Sequence, residues 1–297
     1  MLNAFTVDVE DYFQVGAFAD RIPTSSWDDF DGRVDRNTRS ILDLLDKHQV
    51  RGTFFILGWT AQRYPDLVRD IQRGGHEIGS HSYWHQLIYE MTPEEFADDL
   101  RQSCRVIEEI TGEPVRLFRA PSFSITSRSL WALDLLAESG IEYDSSIFPV
   151  HHDRYGIPDA EPFPYRLDTH HGGLWEFPPS VYRVANRVNL PVAGGGYFRL
   201  YPAAVTLGCI KRINRSGHPF MFYIHPWEVD PDQPRLPCGL RSRFRHYQNL
   251  GSTYRKLDRL LSEIEFGTMT DALSASTGQC DSVATSSANS TDRPRCS

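Results

Sequence analysis

Short apolar runs rich in β-forming residues alternate with helix-like segments along most of this 297-residue chain. That alternation constrains the fold more than any other feature, because repeated βα units resolve into a mostly parallel sheet or a barrel. The runs predict strands at 4–9, 52–57, 76–79, 115–118, 141–146, 174–177 and 220–224. Helices are predicted at 35–50, 65–73, 129–139, 202–215 and 252–264, and one more has an explicit start signal. There Thr92 is placed to cap, Pro93 to open the first turn and Glu95 to complete a capping box, while Gly112 ends the segment.

From 149 to 173 the chain is rich in Pro, His and Asp without a period, which predicts a long surface excursion of the kind that shapes a substrate site. From 267 to 297 large apolar residues almost vanish, so a disordered Ser/Thr-rich tail is expected after a single domain over 1–266. A net charge of −8 argues against nucleic acid as a partner. Cys104, Cys209, Cys238, Cys280 and Cys296 are odd in number and widely spaced, so neither a disulfide framework nor a thiolate zinc site follows. The N-terminus has no signal-peptide pattern, and no apolar run reaches the roughly 20 residues of a transmembrane helix. The expectation is a cytoplasmic chain, with room for association at the inner membrane.

In βα folds chemistry collects at the carboxyl ends of strands. Here those ends carry Asp8, Glu10 and Asp11 after the first strand, His81 and His85 after the third, Arg119, Asp144 and finally His225. Each alone has an ordinary explanation as a turn acid, a surface pair, a helix cap or a packed imidazole. His76, inside a strand pattern, reads as structural. His81 and His85 are four apart, the spacing that puts two imidazoles on one face of a helical turn. Two imidazoles and a carboxylate would leave an open position on a divalent ion, which lowers the pKa of bound water and polarises a carbonyl. A second carboxylate to take the water's proton and a histidine to protonate the leaving group complete a recipe for hydrolysing an amide or ester.

The ordered set of Thr6-Val-Asp8 with following acids, His81-Ser-Tyr-Trp-His85, Arg119-Ala-Pro121 and Ile224-His225 resembles the polysaccharide deacetylases of carbohydrate esterase family four. The opening from Asp8 to Val15 and the Phe-Tyr-Ile-His-Pro-Trp-Glu segment ending at Glu228 are similar to the branch found with exosortase and exopolysaccharide gene clusters. The resemblance implies a distorted (β/α)7 barrel in one domain and a divalent-metal enzyme, usually zinc, that deacetylates N-acetylhexosamine polymers. It implies Asp8 as general base, His81 and His85 as metal ligands, Arg119 as the residue orienting the base, and His225 as general acid.

The family's usual metal-binding aspartate directly follows the base, but Val9 stands there in this chain. Strand alternation then puts Glu10 on the face of Asp8 as first choice for the third ligand, with Asp11 as the other candidate. Relatives without a proper metal triad act on ureides or cyclic amides, so a metal-independent amidohydrolase is the second reading. An inactive carbohydrate-binding subunit is the third. Trp84, Tyr197, Phe198 and Trp227 are candidates to pack against a sugar face.

Overall fold

The computed structural model describes residues 1–278 apart from Ala17 and 185–187. Its strands are β1 (Asn3–Val9), β2 (Thr53–Ile56), β3 (Glu77–Ser80), β4 (Leu117–Phe118), β5 (Tyr143–Asp144), β6 (Tyr165–Thr169), β7 (Gly172–Glu176), β8 (Val181–Val184), β9 (Val188–Pro191), β10 (Met221–Ile224) and β11 (Phe266–Gly267). The helices are α1 (Val34–Lys47), α2 (Gly58–Arg63), α3 (Pro65–Arg73), α4 (Pro93–Thr111), α5 (Trp131–Glu138), α6 (Gly195–Leu200), α7 (Ala203–Arg215), α8 (Leu240–Tyr247), α9 (Leu250–Glu263) and α10 (Met269–Thr277).

The main sheet runs β10-β1-β2-β3-β4-β5-β7-β6, with β11 added beside β1. All its pairings are parallel except the β6–β7 hairpin, and the sheet curls into a half-barrel with helices outside it. β1 lies between β10 and β2 and is buried along its whole length, the environment its apolar residues suit. Phe5, Val7 and Val9 share the large cluster with Ile41 and Leu44 of α1, Val68 and Ile71 of α3 and Leu257 of α9. Ala4 joins a smaller cluster with Phe55, Leu117, Phe177 and Met221, the lining of the barrel interior. The register pairs Val9 with Ile56, Ile56 with Ser80 and Ser80 with Phe118, so these strands end at a common rim.

Three departures from the sequence expectations have physical causes. Residues 267–277, assigned by composition to a disordered tail, contain α10, whose Met269, Ala272 and Leu273 complete the interior cluster. Small residues surround those three, so a Ser/Thr-rich composition hid a helix with an apolar side. Residues 279–297, the rest of that expected tail, lie outside the described residues. The excursion at 149–173 contains β6, whose partner β7 begins at Gly172, because pairing supplied the regularity its polar sequence lacked. The helix at α8 was missed for a related reason: its Arg-rich sequence has no inward apolar period.

Candidate active site

His81 and His85 do not lie on a helical turn. They follow β3 in a loop where Ser82 and His85 adopt left-handed φ values of 66° and 55°. Such backbone costs of order 1–3 kcal/mol per residue and persists only where the surroundings impose it. Here α4 imposes it. Asp99, buried on the helix face turned to the sheet, accepts the backbone N–H of Tyr83 at 2.8 Å and of Trp84 at 3.1 Å. Ser103, one turn on, donates to the Ser82 carbonyl at 3.0 Å, and Ser82 Oγ accepts the His85 N–H at 3.1 Å. Burial raises the Asp99 carboxyl while these backbone donors oppose the rise. Asp99→Ala should free the loop and weaken divalent-metal affinity about 10–100-fold, measurable by calorimetric titration, with α4 intact by circular dichroism.

The loop brings both imidazoles to Glu10. Glu10, His81 and His85 are all buried, and each offers a ligand-type atom within 4.8 Å of the others. Glu10 Oε2 lies 2.7 Å from His85 Nε2, its one close polar neighbour among the described residues. His81 Nδ1 is 2.8 Å from the Arg119 carbonyl, which leaves Nε2 for the cluster. Burial would raise the Glu10 carboxyl, but His85, His225 and His81 outweigh it and hold it at about 2. Burial, partly offset by Asp8, pulls His81 down to about 4. An ionised carboxylate and a neutral imidazole are the protonation states that divalent-metal ligation needs.

Asp11, the other candidate third ligand, is not in this cluster. Its Oδ1 accepts the Tyr12 N–H at 2.9 Å, and its Oδ2 accepts those of Arg33 at 2.5 Å and Val34 at 2.9 Å, which fastens the start of α1. Glu10, which follows the last residue of β1, is the acid that lies with His81 and His85.

Asp8 stands beside the cluster. Its Oδ1 accepts from Arg119 Nη1 at 2.6 Å, and its Oδ2 is 3.8 Å from His225 Nε2. His225 reaches Glu10 Oε1 at 3.3 Å, and the Trp227 indole N–H points to the same oxygen at 3.4 Å. Behind His225, Nδ1 is 2.7 Å from Glu228 Oε1, while Glu228 Oε2 accepts from Arg199 Nε at 2.6 Å. Partial burial would lower His225, but Glu10, Glu228 and Asp8 raise it to about 9.

Glu228, Arg199 and Asp99 were not among the residues read from sequence. The signal for Glu228 was present: His-Pro-x-Glu is a capping-box spacing, and the structure forms that box. Arg199 lacked any local signal, since it works through contacts with 228 and with the carbonyls of 245, 246 and 248.

The remaining candidates have other duties. Asp144 is bonded to Ser146 at 2.5 Å and faces Glu176, its register partner on β7. Burial raises both acids, Asp144 to about 6 and Glu176 well above the usual range, so the pair keeps a proton. Phe198 and Trp227 are buried, Phe198 against Phe222 and Trp227 stacked between His225 and His246. Trp84 and Tyr197 are partly exposed. His76 accepts the Gly52 N–H at 3.1 Å, a structural role.

The fold and site together define a class: a parallel α/β half-barrel whose rim gathers a carboxylate, two imidazoles, an acid–arginine pair and a further histidine. Residues 20–142 match the family described as polysaccharide deacetylase, and residues 145–274 match a domain of unknown function, DUF3473. Curated relatives match part of the chain as well. Among those relatives, a peptidoglycan-N-acetylglucosamine deacetylase of Bacillus cereus is 28% identical over 120 residues, 36% of this chain and 44% of that protein. The chain thus spans less than half the length of that relative. A Mycobacterium smegmatis protein provisionally assigned as a polysaccharide deacetylase superposes with a TM-score of 0.61 at 22% identity, covering 99% of this chain and 94% of that one. The PuuE allantoinase superposes at 0.58 with 14% identity, covering 94% and 92%. At these identities the two structures speak to the fold alone.

Proposed function

We propose that this chain is a metal-dependent hydrolase that removes N-acetyl groups from N-acetylhexosamine units of an exopolysaccharide or its lipid-linked precursor. The observation that carries the reading is the buried cluster itself: Glu10 Oε2 lies 2.7 Å from His85 Nε2, and Glu10, His81 and His85 each offer a ligand-type atom within 4.8 Å of the others. That donor set fits a divalent ion such as zinc with a position left open. When bound, such an ion supplies an acidified water and a polarised acetyl carbonyl.

The chain's own residues supply the proton transfers. Asp8, oriented by Arg119, accepts the proton of the attacking water. As the amide C–N bond breaks, His225 gives its Nε2 proton to the departing sugar nitrogen, and acetate is released. Glu228, anchored by Arg199, holds the imidazole through Nδ1 and favours its charged form before the transfer. The exopolysaccharide and the exosortase-associated branch rest on the 8–15 and 222–228 segments, and the sugar on the relatives' activities.

Acetate release from N-acetylglucosamine oligomers tests this, with zinc-loaded, chelated and zinc-restored protein compared. Activity should follow the metal. Asp8→Asn should keep the metal and lower kcat by about 10²–10⁴-fold. Equal acetate release by Asp8→Asn and wild type would sink the mechanism. Allantoin turnover by metal-free protein would establish the ureide reading, whose fold is shared. Oligomer binding without turnover under any metal would point to a carbohydrate-binding subunit.

A further inference from the structure

α8 has its polarity inverted. On a helix packed against a protein core the apolar side faces inward. Here the buried residue is His246, and Leu240 and Phe244 are 85% and 60% exposed. These two are four apart and share one face. At 100° per residue, Arg241 and Arg243 fall on either side of that face, and both are exposed. Neither forms an ion pair among the described residues, so the stripe is apolar at its centre and cationic along both borders.

The charge of the surrounding segment is concentrated too. Residues 233–257 contain Arg235, Arg241, Arg243, Arg245, Arg255 and Lys256 and no acidic residue, in a chain of net charge −8. The segment is also firmly seated. Arg199 donates to the carbonyls of Arg245 and His246 at 2.9 and 2.7 Å, and His246 stacks on Trp227 at 4.1 Å. Trp227 in turn stacks on His225, so α8 is attached to the wall of the site rather than to a remote face.

We propose that α8 is a docking surface for an anionic lipid bilayer, with Leu240 and Phe244 entering the headgroup–acyl boundary and Arg241 and Arg243 contacting lipid phosphates. Arginine suits this arrangement because its stem covers apolar surface while its guanidinium stays with the headgroups. One short helix with two apolar anchors and several cations gives weak, reversible and salt-sensitive attachment, not insertion. Such attachment would hold the mouth of the site at the membrane surface. Binding is read without turnover, so this inference and the catalytic proposal stand or fall separately.

The test is flotation of the full chain with phosphatidylcholine vesicles, with and without about 30% phosphatidylglycerol. Wild type should float with the anionic vesicles and not the neutral ones, and about 0.5 M salt should release it. Leu240→Ser with Phe244→Ser should cut binding about tenfold or more. Arg241→Gln and Arg243→Gln should each cut it about fivefold. All positions are exposed, so unchanged thermal melting verifies that the variants fold. The proposal is overturned if wild type ignores anionic vesicles or if either set of variants binds as wild type does. It is also overturned if the apolar variants leave vesicle binding intact while converting a dimer to monomer in sedimentation, which would make the stripe a self-interface.

Discussion

Glu10→Gln should lose tight divalent-metal binding and at least about a thousandfold in acetate release, while the protein remains folded. The substitution keeps size and shape and removes the negative charge that the surroundings are arranged around. His85, His225 and His81 hold this carboxylate ionised, and the Trp227 N–H and His225 fix Oε1 so that Oε2 is turned over to the cluster. A neutral amide cannot replace an anionic ligand, and its NH2 group could present donors where an acceptor is required. Removing an outer partner of a ligand costs about 10–100-fold in affinity, and removing the ligand itself should cost more. Metal content of the dialysed protein is the direct measurement. Should Glu10→Gln retain stoichiometric zinc while Asp11→Asn loses it, the third ligand would be Asp11. The present account of both residues would then be wrong, because Asp11 is bound to Tyr12, Arg33 and Val34.

The second large effect is on stability as well as turnover. Arg119 is fully buried, and its guanidinium reaches Asp8 at 2.6 Å, Thr6 at 2.8 Å and Ser145 Oγ at 2.9 Å while lying 4.3 Å from the centre of the Phe55 ring. Arg119→Leu leaves Asp8 as a buried charge without its partner, a loss of about 3–5 kcal/mol. For a domain of this size that lowers the melting temperature by about 10 °C. Adding Asp8→Asn to Arg119→Leu should recover part of the stability but none of the activity, since the pair is coupled and the base is gone. Additive destabilisation in that double-mutant cycle would show that Arg119 acts through packing alone.

What could be read from sequence was the material with local grammar. The helix from 65 to 73 and the capping box of α4 match the structure because caps, prolines and apolar period are written within a few residues. That Asp8, His81, Arg119 and His225 stand at strand ends was legible because βα order brings those ends to one rim. The geometry of the histidine pair was not. Four-residue spacing suggested a helical turn, whereas the loop's shape is imposed by Asp99 and Ser103 from the next helix, a tertiary cause. Glu176, Arg199 and Glu228 were missed as partners for the same reason: their importance lies in pairings with Asp144 and His225 that only the folded chain creates.

α10 gives the barrel a schedule. β1 precedes the other described strands in the chain, yet its neighbours include β10 and β11, and the interior cluster that contains Ala4 is finished by Met269 and Leu273. Contacts spanning almost the whole chain close large loops, and they form late and slowly. The strand bearing Asp8 must therefore wait until residues 269–273 have been made before its floor is sealed. Until then Phe55, Leu117 and Met221 have no cover from below, so truncation just before α10 should yield a chain prone to aggregate rather than a smaller working domain.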